Sequence, residues 1–211
     1  MDCDGELALV RAANAANARD GATLPADFTR GIGASFVYAH PPDYRGRPML
    51  HASVDQWCEA LRELRAMHID TVIFQAALWR ELNECFYRSP RYAAMKQFPV
   101  LETFLEAAEL EAMTVYLGGY GSVSGWKKHL GADELRREAA EHRHCFRELT
   151  RLGRFHGMYY PCETAYHGRR EPEKELRMRT LYREFSAAVK EYAPEMKVLT
   201  SPATFYRPEC D

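Results

Sequence analysis

The chain has 211 residues, of which 46% are hydrophobic and 27% charged, with a formal net charge of -2 at pH 7. This length and composition are typical of one soluble globular domain with enough apolar material for a core. The 28 Lys and Arg residues are balanced by 30 Asp and Glu residues, so no basic excess favours a nucleic-acid partner. An arginine-dense stretch, residues 136–154, is interleaved with glutamates at helical spacing, which indicates a solvated, salt-bridged helix face formed with Glu134, Glu138, Glu141 and Glu148.

The cysteine spacing and the charge of the N-terminal residues indicate the cellular compartment in which the protein folds. Six cysteines show no C-x-x-C pair and no dense spacing, which favours free thiols in a reducing compartment. The first six residues are acidic where a secretory signal would be basic. No stretch reaches the roughly 18 continuous apolar residues of a membrane span. We therefore expect a cytoplasmic protein without a membrane partner.

The first half of the chain predicts a lead-in followed by two strand and helix pairs. Residues 1–30 are an Ala/Asn-rich lead-in with a short helix predicted at residues 6–16, and the one predicted domain spans residues 31–211. Strand one (residues 31–40) precedes a loop rich in Pro, Tyr and Arg (41–48), and such a loop past a strand is where barrel enzymes hold substrate. Ser53 is the predicted N-cap of a helix that ends near His68, and strand two spans residues 70–76.

The second half predicts three further strands. A long excursion, residues 78–98, exceeds ordinary connections and is a candidate substrate-facing insertion. The remaining predicted elements are a helix at 100–112, strand three at 113–117, a helix at 133–152 with Asp133 as N-cap, strand four at 157–163, a helix at 173–192 and strand five at 197–202. Five strands separated by helices fit parallel βαβ winding, as most of a barrel or as a doubly wound sheet. Of these two, we favour the barrel: an α/β fold in the form of an incomplete (β/α) TIM-type barrel with about five strands present.

Glu163 is the predicted catalytic residue because it ends the fourth strand. Alternation along the strand places Tyr159, Pro161 and Glu163 on one face. A carboxyl group at the carboxyl end of a barrel strand lies at the mouth where the connecting loops converge. Partial desolvation among aromatic rings raises a carboxyl pKa and suits the group to general acid catalysis.

Aromatic residues near the same strand ends suggest a carbohydrate ligand. Flat rings offer apolar faces to the C-H surfaces of a sugar, while polar groups bind its hydroxyls. Gln75 and Tyr38 are the predicted residues that orient sugar hydroxyls. The predicted stacking surfaces are Trp79, Tyr120 and Tyr160. The alternative for each ring is an ordinary place in the core or a loop.

Four segments in order resemble a family of uncharacterised proteins, the domain of unknown function 4434 family, whose members are similar to glycoside hydrolases. These segments are residues 33–37 (GASFV), 68–75 (HIDTVIFQ), 86–89 (FYRS) and 157–163 (GMYYPCE). The resemblance extends over about residues 30–205. It implies a TIM-type barrel and, by analogy with related retaining glycosidases, an acid/base carboxylate after strand four, which corresponds to Glu163.

The resemblance also implies a second carboxylate that the five predicted strands do not supply. In the related enzymes the nucleophile usually comes from strand seven, and retaining hydrolysis needs two carboxyls about 5 Å apart. The chain ends after the fifth predicted strand. We therefore expect either a piece of a longer enzyme or a binding protein that has lost catalysis.

Three other motifs predict no additional chemistry. Residues 118–122 (GGYGS) lack the Lys-Ser/Thr of a phosphate-binding loop and predict a flexible connection. His142 and His144 are two apart on a helix and point in different directions, so no metal site is predicted. Cys162, with His40 or His167 as base, is an alternative nucleophile, but strand alternation turns its thiol toward the helix layer. No cofactor is expected.

Three function hypotheses remain from different classes. The first is a glycoside-hydrolase-like barrel acting on a carbohydrate through Glu163. The second is a non-catalytic relic of such a barrel that binds carbohydrate or a partner. A barrel enzyme for a sugar phosphate or another small molecule is the third, although no phosphate loop is recognisable. Because an incomplete barrel leaves strands one and five with open edges, a homodimer is a further expectation.

Overall fold

Strands and helices alternate along the part of the chain that the computed structural model describes, residues 32–39, 53–123, 131–162, 165–166, 172–201 and 203–204. Contacts divide the chain into the units Met1–Gly33 and Ala34–Asp211, and every element below belongs to the second unit. The predicted helix at residues 6–16 and the loop at 41–48 lie outside the described residues.

The elements that can be assigned follow the predicted order. In chain order they are β1 (Ala34–Val37), α1 (Val54–Ala66), β2 (Thr71–Phe74), β3 (Leu78–Trp79), β4 (Glu84–Cys85), β5 (Lys96–Gln97), α2 (Val100–Leu110), β6 (Thr114–Gly118), β7 (Tyr120–Gly121), α3 (Ala132–Leu149), β8 (Gly157–Tyr160), β9 (Ala165–Tyr166), α4 (Pro172–Tyr192), β10 (Lys197–Thr200) and β11 (Ala203–Thr204). The five predicted strands correspond to β1, β2, β6, β8 and β10.

The main sheet decides between the two windings that the sequence left open. Its five described strands are parallel and lie in the order β1-β2-β6-β8-β10, which is their order along the chain. A doubly wound sheet reverses direction at a switch point, whereas a barrel adds each strand on the same side of the last. The described strands therefore follow barrel winding, and the α/β fold predicted from the sequence is confirmed. Within these residues β1 and β10 form the sheet edges, and dimerisation through them stays a prediction.

The two faces of the sheet have different surroundings. One face packs against the helices, and its fully buried side chains include Val72, Phe74 and Leu117. The ring of Phe74, for example, lies 5.0 Å from the ring of Phe104 in α2. Alternate residues point to the opposite face, where the rings of Phe36 and Tyr159 lie 5.2 Å apart across the sheet. In a barrel this second face is the interior.

The N-caps of α1 and α3 were both predicted from sequence, and only the first prediction is correct. Ser53 caps α1 as expected, because its hydroxyl accepts a hydrogen bond from the Gln56 amide while the Gln56 side chain accepts one from the Ser53 amide. The prediction of Asp133 as N-cap of α3 was wrong. Gly131 occupies that position, and its amide donates to the Glu134 carboxylate at 3.0 Å. Asp133 lies instead in the first turn, paired with Arg136.

The predicted excursion at residues 78–98 forms most of a second, smaller sheet. Its strands lie in the order β5-β4-β3-β7, so the segment after β2 is joined to the segment after β6. Two hydroxyls attach it to α3: Tyr87 donates to Glu148 Oε2 at 2.8 Å and Ser89 donates to the same oxygen at 2.6 Å. Burial raises the pKa of Tyr87 well above its usual range, so its hydroxyl stays a donor. Whether this segment faces a substrate stays a prediction.

Removing the Tyr87 hydroxyl tests this attachment. Tyr87→Phe is expected to lower the free energy of unfolding by about 1.5 kcal/mol, because a buried hydrogen bond to a carboxylate is lost. Denaturant titration followed by circular dichroism measures the change. Tyr192→Phe is the matched control, since the Tyr192 side chain is 60% exposed, and it should change stability by less than about 0.5 kcal/mol. Equal effects of the two substitutions would contradict the assigned role of Tyr87.

Two expectations about surface and thiols are settled for the described residues. The α3 arginines do form ion pairs, for example Arg143 with Glu191 of α4 at 2.8 Å. Three of the four glutamates predicted for a solvated face bind elsewhere: Glu138 is buried, Glu141 pairs with Arg91, and Glu148 accepts hydrogen bonds from the excursion. The four cysteines in the described regions are free and buried, namely Cys58, Cys85, Cys145 and Cys162. No helix in these regions is both long and apolar enough to cross a bilayer, and a cytoplasmic location stays a prediction.

Candidate active site

The predicted catalytic carboxylate, Glu163, lies outside the described residues. In sequence it follows the last residue of β8, Tyr160, by three positions. Its role as general acid/base therefore stays a prediction. The residues predicted to bind sugar beside it are all described, and the structure separates them into three locations.

Tyr38 and Gln75 lie together at the carboxyl ends of β1 and β2. Val37 pairs with Phe74 in the parallel register, and the Gln75 amide donates to the Val37 carbonyl at 3.0 Å. Tyr38 is 41% exposed and the side chain of Gln75 is half-buried. The two residues are thus neighbours at the carboxyl edge of the sheet, where barrel enzymes bind ligands, and their role in orienting sugar hydroxyls stays a prediction.

Trp79 and Tyr120 belong to the smaller sheet. Trp79 in β3 pairs with Gly121 in β7, and its half-buried ring covers that glycine closely. Tyr120 is buried, with its ring 5.2 Å from that of His142 in α3. Both residues lie beyond the carboxyl ends of β2 and β6, which is the edge where barrel enzymes bind ligands. Their predicted stacking roles are untested.

Tyr160 lies on the other face of the main sheet from Tyr159. It is only 2% exposed, and its ring packs among those of His142, Tyr182 and Phe185 from α3 and α4. Strand alternation explains this position, since neighbouring residues of β8 point to opposite faces. The structure does not bring Tyr160 together with Tyr38 and Gln75, so its position gives no support to a stacking role.

A cavity of about 630 Å³ opens beside Tyr120, between the excursion after β2 and α3. We call it the lateral cavity. It is lined by Arg80, Asn83, Arg91, Tyr92, Met95, Tyr120, Glu134, Arg137, Glu138 and Glu141. Its volume is in the range of small-molecule sites, and its three arginines and three glutamates suit a polar ligand better than an apolar one. Of these residues, the sequence predicted a ligand-binding position only for Tyr120 and for the excursion. The α3 glutamates were predicted to form a solvated, salt-bridged helix face.

One wall of the lateral cavity is an ordered ion pair. Arg91 contacts Glu141 at 2.6 Å, and the Tyr92 hydroxyl donates to the same carboxylate at 2.8 Å. Burial alone would raise the pKa of Glu141, but hydrogen bonds from Arg91 and Tyr92 outweigh it and lower that pKa below its usual value. Glu141 therefore stays ionised at neutral pH and holds the excursion against α3.

Beside the cavity, Glu138, His142 and Cys162 form a buried cluster. Glu138 Oε1 and Cys162 Sγ each lie 3.8 Å from the same imidazole nitrogen, His142 Nε2. The three donor atoms all lie within 4.8 Å of one another. Ser122 donates a hydrogen bond to Glu138 Oε1 at 2.7 Å. Glutamate, histidine and cysteine are ligands for transition metals, so this set could hold such an ion.

The cluster is unlike a catalytic cysteine triad. In a triad the nucleophile and the orienting carboxylate bind opposite nitrogens of the histidine, whereas here both face Nε2. Burial would lower the pKa of His142, but Cys162 and Glu138 outweigh it and raise that pKa to about 9. Cys162 does point toward the helix layer, as predicted. The histidine beside Cys162 is His142, which the sequence analysis considered only as a pair with His144. The sequence did contain a signal for this cluster, because Glu138 and His142 are four residues apart and therefore lie on the same helix face.

Comparisons with solved structures identify the same architecture. A candidate alpha-L-fucosidase from Bacteroides thetaiotaomicron is 18% identical, with a TM-score of 0.62 over 85% of this chain and 54% of its own. The catalytic domain of the major endoglucanase from Xanthomonas campestris is 13% identical, with a TM-score of 0.53 over 86% of this chain and 54% of its own. Similarity at this level of identity shows the fold alone.

A third similar structure is a variant of GH5_18 from Streptomyces cattleya in complex with Manb1-4GlcNAc. It is 16% identical, with a TM-score of 0.50 over 82% of this chain and 45% of its own. The chain thus spans about half the length of these three structures. No curated protein matches the chain significantly.

These likenesses and the strand order agree on a barrel fold of the TIM type, of which five strands are described in this chain. The assignment to a family rests on sequence. One family model matches residues 48–206, which is well over half of the chain and extends from the segment before α1 to the residues after β11. The resemblance expected from the four sequence segments is confirmed: the chain belongs to the family described as Domain of unknown function (DUF4434).

Proposed function

We propose that this barrel acts on a carbohydrate as a glycoside hydrolase, with Glu163 as the general acid/base. The observation that carries the proposal is the placement of Tyr38 and Gln75 side by side at the carboxyl edge of a parallel sheet wound like those of glycoside hydrolases. Glu163 follows the β8 strand of the same sheet in sequence. A protonated carboxyl group there would donate its proton to the leaving glycosidic oxygen.

The other residues have separate parts in this proposal. Gln75 would donate and accept hydrogen bonds with sugar hydroxyls, and Tyr38 would present its half-exposed ring and its hydroxyl. Trp79 and Tyr120 would extend the surface along the smaller sheet. Hydrolysis with retention also needs a second carboxylate about 5 Å from the first.

The test is hydrolysis of a glycoside panel by the purified chain and by Glu163→Gln. The probes follow the similar structures: an aryl alpha-L-fucoside, Manb1-4GlcNAc and glucan oligosaccharides. Glu163→Gln is expected to reduce turnover by about 10²- to 10⁴-fold, because the amide cannot donate the proton. Glu195→Gln is the matched control, an exposed glutamate outside the helices and strands, and it should retain full activity.

Glycan binding measured on the same samples tests the alternative. If the unmodified chain and both variants bind a glycan but none of them hydrolyses it, a non-catalytic carbohydrate-binding barrel would be favoured. Turnover that is equal in Glu163→Gln and the unmodified chain would remove the acid/base assignment. The absence of both glycan binding and turnover across the whole panel would contradict the carbohydrate proposal itself.

A further inference from the structure

The Glu138-His142-Cys162 cluster has a geometry that neither the fold nor the proposed hydrolysis requires. All three residues are at most 2% exposed; Glu138 and His142 lie in α3, and Cys162 follows the end of β8 by two residues. Burying a carboxylate, an imidazole and a thiol together is costly unless their charges and hydrogen-bonding groups are satisfied. The arrangement therefore needs its own explanation.

The distances leave a space between the donor atoms. His142 Nε2 lies 3.8 Å from both Glu138 Oε1 and Cys162 Sγ, beyond the length of a strong direct hydrogen bond. A tetrahedral ion with ligands at about 2.0–2.3 Å separates those ligands by roughly 3.3–3.8 Å. The two separations that involve Nε2 lie at the upper end of that spacing, and the third, between Glu138 and Cys162, is at most 4.8 Å.

The surroundings of the cluster also resemble those of a metal ligand set. Ser122 holds the Glu138 carboxylate by a hydrogen bond of 2.7 Å, the kind of outer contact that orients a ligating carboxylate. The rings of Tyr120 and Tyr160 lie 5.2 Å and 5.1 Å from that of His142 and keep it in place. Glu138 also lines the lateral cavity, so the cluster adjoins a route to solvent.

We propose that Glu138, His142 and Cys162 bind one divalent transition-metal ion, with Zn²⁺ the best match to this donor set. Carboxylate oxygen, imidazole nitrogen and thiolate sulfur together favour Zn²⁺ over Mg²⁺ or Ca²⁺, which take oxygen ligands. Three protein ligands leave one tetrahedral position for water or another small molecule. The site does not depend on the proposed hydrolysis, and it uses none of the residues Tyr38, Gln75 or Glu163.

The test uses Co²⁺ as a spectroscopic substitute for Zn²⁺. The purified full chain is dialysed against a chelator, then titrated with Co²⁺ under reducing conditions. We expect one ion per chain, visible bands typical of tetrahedral cobalt, a thiolate-to-cobalt charge-transfer band, and displacement of all of them by Zn²⁺. A wild-type chain that binds no Co²⁺, or binds it without the thiolate band, would overturn the proposal.

Variants assign the band to this cluster rather than to another of the six cysteines. Cys162→Ser should abolish the charge-transfer band, whereas Cys58→Ser, at another buried free cysteine, should leave it unchanged. His142→Gln should weaken Co²⁺ binding by more than about 100-fold, since loss of a ligand exceeds the effect of an outer contact. His144→Gln, two residues along the same helix, should not weaken it.

A further variant keeps the test decisive if Cys162→Ser or His142→Gln does not fold. Glu138→Gln preserves shape and removes the carboxylate charge, and its affinity for Co²⁺ should fall at least about tenfold. Circular dichroism confirms that each variant is folded before titration. Unchanged affinity in folded Glu138→Gln, or a band that persists in folded Cys162→Ser, would contradict the site. A loss of glycoside hydrolysis alone would bear on the proposed function and not on this inference.

Discussion

Phe104→Ala is expected to lower the free energy of unfolding by about 4 kcal/mol, which is among the largest effects of a core truncation. Phe104 lies in α2 and is fully buried between the sheet and α1. Its ring is 5.0 Å from those of both Trp57 and Phe74. Removing the ring leaves a cavity that these rigid neighbours cannot fill, so both the transfer energy and the packing contacts are lost.

Denaturant titration of Phe104→Ala measures this change, with Leu110→Ala as the control. Leu110 is the last residue of the same helix and is 67% exposed, so its truncation should cost less than about 0.5 kcal/mol. A loss below about 1 kcal/mol in Phe104→Ala would contradict the position of α2 against β2.

Gly118→Ala is expected to destabilise the fold by about 3 kcal/mol, because two backbones approach each other at the end of β6. A Cβ at Gly118 would lie 2.5 Å from the carbonyl carbon of Gln75 and 2.6 Å from the carbonyl oxygen of Phe74, and closer still to the oxygen of Gln75. Backbone atoms of a buried strand cannot move aside as a side chain can. The strands β2 and β6 would have to separate at the edge where Gln75 lies.

The next residue provides the control for Gly118→Ala. A Cβ at Gly119 would first meet the flexible end of Met158, at 3.4 Å, which is an ordinary contact. Gly119→Ala should therefore change the free energy of unfolding by less than about 1 kcal/mol. Chemical denaturation of both variants compares the two glycines directly. Similar stability of Gly118→Ala and Gly119→Ala would show that the close approach at Gly118 is absent.

Most of the fold could be predicted from local pattern. The strand at residues 70–76 and the helix at 100–112 have strong signals, an apolar β-branched run in one and apolar residues at helical spacing in the other. Their alternation predicted parallel winding. Strand order could not be predicted in this way, because barrels and doubly wound sheets are built from the same repeating unit and differ only in where each new strand is added.

The relative positions of the candidate site residues could be predicted only where they depend on strand ends, and their roles stay predictions. Tyr38 and Gln75 each follow a strand, and parallel strands bring their carboxyl ends to one edge, so their proximity was foreseeable. The aromatic character of Tyr160 alone did not show that its ring faces the helices. Strand alternation did, because it places Tyr160 on the opposite face of the sheet from Tyr159. Glu138 was assigned to a solvated face because charge at helical spacing is usually exposed.

The sequence by itself determined the composition of the domain, the succession of strands and helices, and the family to which the chain belongs. These follow from local periodicity and from motifs a few residues long. Tertiary structure alone decided the winding of the sheet, the lateral cavity, and the meeting of Glu138 and His142 with Cys162. The physical reason is that a cluster formed by α3 and the segment after β8 depends on how the helix packs on the sheet, which is set by contacts between residues far apart in the chain.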